Sequence, residues 1–277
     1  MKKHELNGGF DWQDRTGPFR LLSEDQAAQY NRDGFVVLED VFDDETIDAL
    51  LTELDPLEEL GAELLRKHFD GKAFIARADE ITFTVHVVTR SPLANAFTRS
   101  KFFLDVTHDL LGPDVRLYWD QLVYKKPGNP EVFPWHQDNG YTFIEPQQYL
   151  TCWVAMSDAD EENGCPWVIP GAHREGTYAH HMTDLGWECT TEEPKQRVAA
   201  PVRKGGVVVF SSLTPHLTGP NQTAHMRKTY IVQFAPDGAS GVTVQNGKRS
   251  EAPCRAPDRQ YPILVDGKPV PPPGVSD

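Results

Sequence analysis

The stretch that decides the fold is VRLYWDQLVY, at residues 115–124. Its side chains alternate in character with a period of two, which is the pattern of a β-strand with two different faces. The alternation puts Gln121 on one strand face with Leu117 and Trp119. Further strand candidates follow at residues 149–156, 198–202, 206–210 and 229–234, separated by clusters of Gly, Pro and Asn. Several short strands of this kind predict an antiparallel sandwich or barrel.

Helical signals dominate the chain before this stretch. Ser23 starts an S-x-x-Q capping box, so a short helix is predicted there, followed by a buried strand at residues 35–38. Acidic residues at 43–45 and apolar residues spaced i, i+3, i+4, i+7 over 47–54 predict a second helix. A third helical stretch covers residues 91–111 and ends at Gly112. The fold class is therefore mainly β with flanking α-helices.

The 277 residues are 39% hydrophobic and 25% charged, the composition of a globular protein. We expect an extended N-terminal arm at 1–22, one domain at 23–236 and a loosely ordered C-terminal extension at 237–277. The formal charge of −14 disfavours nucleic acid as a partner. No apolar run is long enough for a membrane span, and the first residues lack the apolar core of a secretory signal, so a cytoplasmic location is expected. Four cysteines without a C-x-x-C pair are expected to be buried thiols.

Three His-x-acid triplets begin at His68, His136 and His173. Residues two apart on a strand point to the same face and can reach one metal ion. His68 ends a helical stretch, where such residues diverge, so it is expected to be solvated. His173 follows a Pro-Gly turn and is expected to anchor a loop through a backbone hydrogen bond. The pair of His136 and Asp138 lies in an extended segment between aromatic residues, which suits a metal site.

A third ligand must come from elsewhere in the chain, and His216 is the best candidate because it follows the strand at 206–210. His180, His181 and His225 compete for this role. Two imidazoles and one carboxylate on one face of an ion suit non-haem Fe(II) and oxygen chemistry, although catalytic zinc uses the same donors.

Arg227 lies eleven residues beyond His216, at the start of the strand predicted at 229–234. An arginine fork can hold a carboxylate through two hydrogen bonds. A cosubstrate that chelates iron at one end and carries a free carboxylate at the other would need such a clamp.

The order of these motifs resembles the phytanoyl-CoA dioxygenase family of Fe(II)/2-oxoglutarate oxygenases, over roughly residues 22–236. The resemblance rests on the following residues: Asp33-Gly34-Phe35-Val36-Val37, His136-Gln137-Asp138 with Tyr141, Asn163-Gly164-Cys165, Pro170-Gly171-Ala172-His173, His216 with Thr218 and Asn221, and Arg227. It implies a double-stranded β-helix, the jelly-roll or cupin-like barrel, with helices that support one sheet.

The resemblance also implies roles for individual residues. The iron ligands would be His136, Asp138 and His216, and Arg227 would pair with the distal carboxylate of 2-oxoglutarate. Thr218 would give a hydroxyl to the same carboxylate, while Gln121 and Trp153 would line the cosubstrate pocket. Since Asp138 keeps the carboxylate ligand that halogenases in the family lack, halogenation is not expected.

The leading hypothesis is a dioxygenase that uses Fe(II), 2-oxoglutarate and O2 to hydroxylate a C–H bond of a small organic molecule, with release of succinate and CO2. A cupin-like isomerase or hydrolase with Zn(II) or Mn(II) at the same residues is the alternative, and a binding module without turnover is a third. The protein would be a monomer or a homodimer. The segment 175–197 is a candidate lid, and Trp135, Tyr141 and Trp167 are candidate substrate-facing aromatics.

Overall fold

The computed structural model describes residues 1–272. The helices are α1 (Glu24–Asp33), α2 (Asp44–Phe69), α3 (Pro92–Phe97) and α4 (Lys101–Leu111). The strands of the first half are β1 (Phe35–Leu38), β2 (Lys72–Ala73), β3 (Ala76–Arg77), β4 (Ile81–Val85), β5 (Val115–Lys125), β6 (Phe133–His136), β7 (Ile144–Glu145), β8 (Leu150–Ala155), β9 (Pro166–Val168) and β10 (His181–Thr183). They are followed by β11 (Gly186–Glu188), β12 (Val198–Ala199), β13 (Val207–Ser211), β14 (His216–Thr218), β15 (Arg227–Pro236), β16 (Ser240–Gln245), β17 (Lys248–Pro253), β18 (Pro262–Val265) and β19 (Lys268–Pro269).

Two antiparallel sheets form a double-stranded β-helix, so the mainly β fold class with flanking helices is confirmed. The major sheet has the order β1-β13-β8-β15-β5-β4-β3-β2, with β18 also paired with β5 and β19 paired with β18. The minor sheet has the order β12-β9-β14-β6. The hairpin β10-β11 stands apart from both sheets, and β17-β16-β7 form a further small sheet.

The helices begin where the sequence analysis places their caps. The hydroxyl of Ser23 accepts from the amide of Gln26, and the Gln26 side chain accepts from the Ser23 amide, which confirms the capping box. Asp43 caps α2 in a similar way by accepting from the amide of Thr46. Helix α1 ends at Gly34, which has a φ of 83° and where a Cβ would lie 2.5 Å from Nδ1 of His173. Only glycine fits this turn into β1.

The largest core cluster lies between the major sheet and the helices. Leu54 of α2 and Phe103 of α4 are fully buried there against Leu117 and Phe234 of the sheet. A second cluster lies between the two sheets, where Trp153 is packed with residues of the minor sheet. Burial of each large apolar side chain contributes about 1.5–3 kcal/mol. The helices therefore cover one face of the major sheet, and the opposite face points into the barrel.

A β-bulge in β5 changes the faces on which its side chains lie. Trp119 pairs with Gln233 while Leu117 pairs with Phe234, so Tyr118 is an extra residue in the ladder. Leu117 belongs to the core under the helices, whereas Trp119 and Gln121 face the interior of the barrel. The expectation that Leu117 shares a face with Gln121 is therefore wrong, because a single inserted residue reverses the alternation.

Other differences from the sequence analysis are local. The helical stretch at 91–111 is two helices, α3 and α4, with a turn between them. The strand expected at 198–202 is only the two residues of β12. The residues from 237 to 272, expected to be loosely ordered, contain β16 to β19, and Ile263 and Leu264 are fully buried against the core. Although this segment is polar overall, it contains the short apolar strand β18, which pairs with the first residues of β5.

The N-terminal arm has no helix, and its Trp12 is buried in the main core. All four cysteines are buried and free, as expected. Among the described residues, no helix is long and apolar enough to span a bilayer.

Candidate metal centre

Two histidines from distant parts of the sequence meet on adjacent strands of the minor sheet. His136 is the last residue of β6 and His216 is the first residue of β14, and the two are paired directly in the ladder. Their ring centroids lie 4.1 Å apart. Both side chains are buried, with 6% and 5% exposure respectively. Cross-strand pairing therefore brings the two imidazoles to one point inside the barrel.

Each imidazole is oriented by a hydrogen bond to a backbone carbonyl. Nδ1 of His136 lies 2.8 Å from the carbonyl oxygen of Pro134, and Nδ1 of His216 lies 2.9 Å from that of Thr214. A protonated Nδ1 that donates to a carbonyl leaves the lone pair of Nε2 free for a metal. Burial lowers the pKa of His136 to about 3 and that of His216 to about 4, so both rings are neutral at pH 7.

Asp138 completes the group from a short turn just after β6. Its Oδ1 lies 4.0 Å from Nε2 of His136 and 3.9 Å from Nε2 of His216, and the candidate ligand atoms all lie within 4.8 Å of one another. Its Oδ2 accepts a 2.5 Å hydrogen bond from the hydroxyl of Thr151, which fixes the carboxyl plane. Burial raises the pKa of Asp138, and a cation nearby would favour its charged form.

Arg227 is fully buried beside this group, at the start of β15. Its Nη1 donates to the carbonyl of Val123 and to the hydroxyl of Thr229. Its Nε and Nη2 are buried without any hydrogen-bond partner. Burial lowers its pKa to about 10, so the guanidinium is still charged at pH 7. A buried cation with two unused donors is costly unless an anion occupies the space beside it.

The other three expected cosubstrate residues line the same cavity. Thr218 lies two residues after His216 on β14 and points to the same side of the sheet. Trp153 of β8 is buried, and the guanidinium carbon of Arg227 lies 5.1 Å from its ring centroid. The side-chain oxygen of Gln121 accepts a 3.1 Å hydrogen bond from the indole N–H of Trp119, which holds the Gln121 amide at the cavity wall.

These residues form one end of a cavity of about 660 Å³. Tyr141 lines it, as expected of a substrate-facing aromatic, and Trp187 from the hairpin β10-β11 lines it too. Trp135 and Trp167 do not, and that expectation is wrong. Trp135 directly precedes His136 on β6, and Trp167 pairs with Leu217, so both face away from the metal ligands. They pack together on the outer side of the minor sheet.

The competing histidines have other surroundings. His181 and His225 are exposed, and so is His68, as expected for a solvated pair. His173 is buried, and its Nε2 lies 3.2 Å from the carbonyl oxygen of Asn31. This confirms that His173 anchors a loop.

His180 has a role that the sequence analysis did not identify. Its Nε2 accepts a 2.9 Å hydrogen bond from the backbone amide of Gln137, the residue between His136 and Asp138. Its ring lies where a Cβ on Gly140 would be, only 2.1 Å away, so the turn needs a glycine there. The sequence shows only two adjacent histidines, His180 and His181, in a segment without periodicity. It therefore does not indicate which of the two side chains points inward.

Comparison with protein families gives one match that covers most of the chain. The family model described as phytanoyl-CoA dioxygenase matches residues 30–229, which include every site residue discussed above.

Among curated proteins, an ectoine dioxygenase of Bordetella parapertussis is 30% identical over 158 residues, or 56% of this chain and 50% of the relative. The chain thus spans about half the length of the ectoine dioxygenases that it matches. Human peroxisomal phytanoyl-CoA dioxygenase is 25% identical over 234 residues, covering 78% of this chain and 69% of the relative.

Solved structures share the fold. The epimerase SnoN, in complex with Fe3+, alpha-ketoglutarate and nogalamycin RO, superimposes with a TM-score of 0.66 at 22% identity over 86% of this chain and 97% of SnoN. EctD from S. alaskensis, with 2-oxoglutarate and 5-hydroxyectoine, gives a TM-score of 0.64 at 22% identity over 85% of this chain and 82% of EctD. At this identity the likeness shows the double-stranded β-helix fold.

Proposed function

Because the chain belongs to the phytanoyl-CoA dioxygenase family, we propose that it is an Fe(II)- and 2-oxoglutarate-dependent dioxygenase. It would hydroxylate a C–H bond of a small organic substrate and release succinate and CO2. His136, Asp138 and His216 are the proposed iron ligands. Arg227 and Thr218 are proposed to bind the distal carboxylate of 2-oxoglutarate, and Gln121 and Trp153 are proposed to line its pocket.

One observation carries this proposal: the buried guanidinium of Arg227, which has two donors without partners, lines the cavity that also holds the three candidate metal ligands. An isomerase or hydrolase with the same metal ligands needs a second anion site only if its own substrate is an anion. A dicarboxylic keto acid needs both, since one end chelates the metal and the other end carries a charge. The arrangement therefore favours 2-oxoglutarate over the alternative function.

The residues present fit Fe(II). Two neutral imidazoles and one carboxylate form a donor set that suits non-haem Fe(II), and it would leave room on the ion for a keto acid and one further ligand. The lone pairs of both Nε2 atoms are available because each Nδ1 is committed to a carbonyl. A bound cation also lowers the free energy of the charged Asp138, whose pKa is raised in the metal-free protein.

When bound, the iron with 2-oxoglutarate and O2 supplies the oxidising power to break a C–H bond. The protein supplies placement. Arg227 pairs with the carboxylate through the two donors that are unused, and Thr218 adds a hydroxyl from the same side. Thr151 keeps Asp138 in one orientation. The apolar walls exclude water from the reacting atoms, which protects the oxidising site from side reactions.

The proposed function is tested by an anaerobic titration of the protein with Fe(II) and 2-oxoglutarate. A weak visible charge-transfer band that requires both components supports chelation of the keto acid. In air, succinate formation that depends on Fe(II) separates this activity from that of an isomerase or hydrolase. Absence of both signals in folded protein would contradict the proposal.

A cytoplasmic location, a small-molecule substrate and a monomeric or homodimeric state are proposed as well. Four buried free cysteines support a reducing compartment. Size-exclusion chromatography with light scattering tests the oligomeric state.

A further inference from the structure

The cavity continues from the metal centre to an opening between α2, the β2-β3 turn, β4 and the hairpin β10-β11. We propose that this outer part binds an uncharged, hydrocarbon-rich small molecule as the substrate, with no ion pair to the protein. The inference rests on the proposed function, because the keto acid must occupy the space beside Arg227. It adds the chemical class of the substrate.

The charges of the lining support this class. Apart from the two imidazoles and three tyrosines, whose phenols are neutral at pH 7, Asp138 and Arg227 are the only ionisable side chains among the described lining residues, and the proposed function assigns both. The outer wall is built from aliphatic and aromatic side chains, of which Leu65, Ile75 and Phe83 are examples. A charged substrate would lose its hydration there without gaining a counter-ion. A neutral hydrocarbon gains about 25 cal/mol for each Å² of apolar surface that it buries.

The cations near the opening are engaged elsewhere. Arg66 pairs with Asp79 at 2.6 Å, and Arg77 donates to the carbonyls of Phe74 and Asp184. Neither arginine lines the cavity, and the exposed lysines at positions 67 and 72 do not line it either. An anionic head group such as that of an acyl-CoA would therefore have no lysine or arginine in the outer cavity with which to form an ion pair.

A buried acid beneath the wall is paired with a lysine. Glu58 is 3% exposed, and its Oε1 accepts from the hydroxyl of Thr82 at 2.6 Å and from Nζ of Lys126 at 2.7 Å. The Thr82 hydroxyl, although it belongs to a lining residue, is thus directed away from the cavity. A cationic substrate would find no free carboxylate in the wall.

The rim of the opening is apolar as well. Phe69 and Phe74 are 58% and 65% exposed, and both line the cavity. Leu64 and Val85 are also large apolar side chains that are exposed at the rim. Exposed aromatic side chains around a cavity commonly mark a binding site. With a volume of about 660 Å³, the cavity has the size of a small-molecule site rather than of a groove for a macromolecule.

The test uses three probes with the same ten-carbon chain and different charge: decan-1-ol, decanoate and decyltrimethylammonium. Binding is measured anaerobically by calorimetry on protein saturated with Fe(II) and 2-oxoglutarate. We expect decan-1-ol to bind at least about tenfold more tightly than either ion, which corresponds to about 1.4 kcal/mol. Equal or tighter binding of either ion, or no binding of the alcohol, would overturn the proposal.

The same samples keep this proposal separate from the proposed function. The charge-transfer band reports on iron and 2-oxoglutarate, whereas the order of the three probes reports on the outer cavity. If the band is absent, the dioxygenase function fails and the substrate class that rests on it fails too. If the band is present and an ion binds as tightly as the alcohol, only the substrate class fails.

Two variants of α2 locate the binding site. Leu64 and Leu60 lie one helical turn apart and are 46% and 51% exposed, but only Leu64 lines the cavity. Leu64→Glu is expected to weaken decan-1-ol binding about fivefold or more, because a carboxylate at the rim must lose hydration when the alcohol enters. Leu60→Glu has the same effect on helix propensity and charge, and it should bind decan-1-ol like the wild type. An equal effect of the two substitutions would place the alcohol outside this cavity.

Discussion

His136 and His216 occupy directly paired positions on two antiparallel strands, and their ring centroids lie 4.1 Å apart. The metal centre therefore depends on the register of β6 against β14. A slip of one residue would turn every side chain of a strand to its other face. Trp135 or Leu217 would then face the cavity in place of a histidine. The packing of these two residues in a separate apolar cluster opposes such a slip.

Replacement of Asp138 by alanine should remove most of the iron affinity and the coupled turnover. The loss should exceed that of Thr151→Val, which removes only the hydrogen bond to the carboxylate and should cost roughly tenfold in affinity. The fold should survive Asp138→Ala, because burying a carboxylate without a metal is unfavourable, in keeping with the raised pKa of Asp138. Anaerobic Fe(II) binding and the thermal midpoint measure both effects. An unchanged reaction rate would show that the ligand assignment is wrong.

Arg227→Leu should raise the 2-oxoglutarate concentration needed for turnover about 30-fold or more. The distal carboxylate would lose its partner in a dry pocket, at a cost of about 2 kcal/mol or more. Iron binding should remain. Arg203→Leu, at an exposed arginine that pairs with Asp40, is the control and should behave like the wild type. If the apparent affinity for 2-oxoglutarate is the same in Arg227→Leu and in the wild type, the carboxylate clamp must lie elsewhere.

His180→Ala should weaken iron binding roughly tenfold without touching a ligand. The substitution leaves the amide of Gln137 without its acceptor, so the segment between His136 and Asp138 is free to move. His180→Gln keeps an acceptor in this position and should recover part of the affinity. His181→Ala is the matched control, since this neighbouring histidine is exposed. Iron titration of all three variants tests the role, and equal affinities in His180→Ala and His181→Ala would contradict it.

The sequence predicts those parts of the structure that depend on local chemistry. The cap at Ser23, the turn at Gly34 and the anchoring role of His173 each follow from a few adjacent residues. The fold class follows from the change in apolar period after Pro113. The grouping of His136 with His216 was favoured by position on strands, and the family resemblance added the order of the motifs.

The parts that could not be predicted depend on register over long distances. The extra residue at Tyr118 has no signal in an alternating strand, because it is defined only by the partner strand β15. The same holds for Trp187, which lines the cavity only because of the placement of the hairpin β10-β11. The segment 175–197 carries that hairpin, and its role as a lid stays a proposal.

The stability of the protein should fall as the pH decreases from 7 to 5, and His173 should account for part of the fall. Burial lowers the pKa of His173 from 6.5 to about 4. Below pH 6.5 the unfolded chain binds a proton at this residue that the folded protein does not bind until about pH 4. Protonation of His173 in the unfolded chain should therefore lower the free energy of unfolding by about 2 kcal/mol when the pH falls from 7 to 5. Urea unfolding at the two pH values measures this loss of stability.

His173→Gln should reduce the pH-dependent loss of stability by that amount, whereas His68→Gln, at an exposed histidine, should leave the loss as in the wild type. A His173→Gln protein with the wild-type pH dependence would mean that this imidazole is protonated inside the fold.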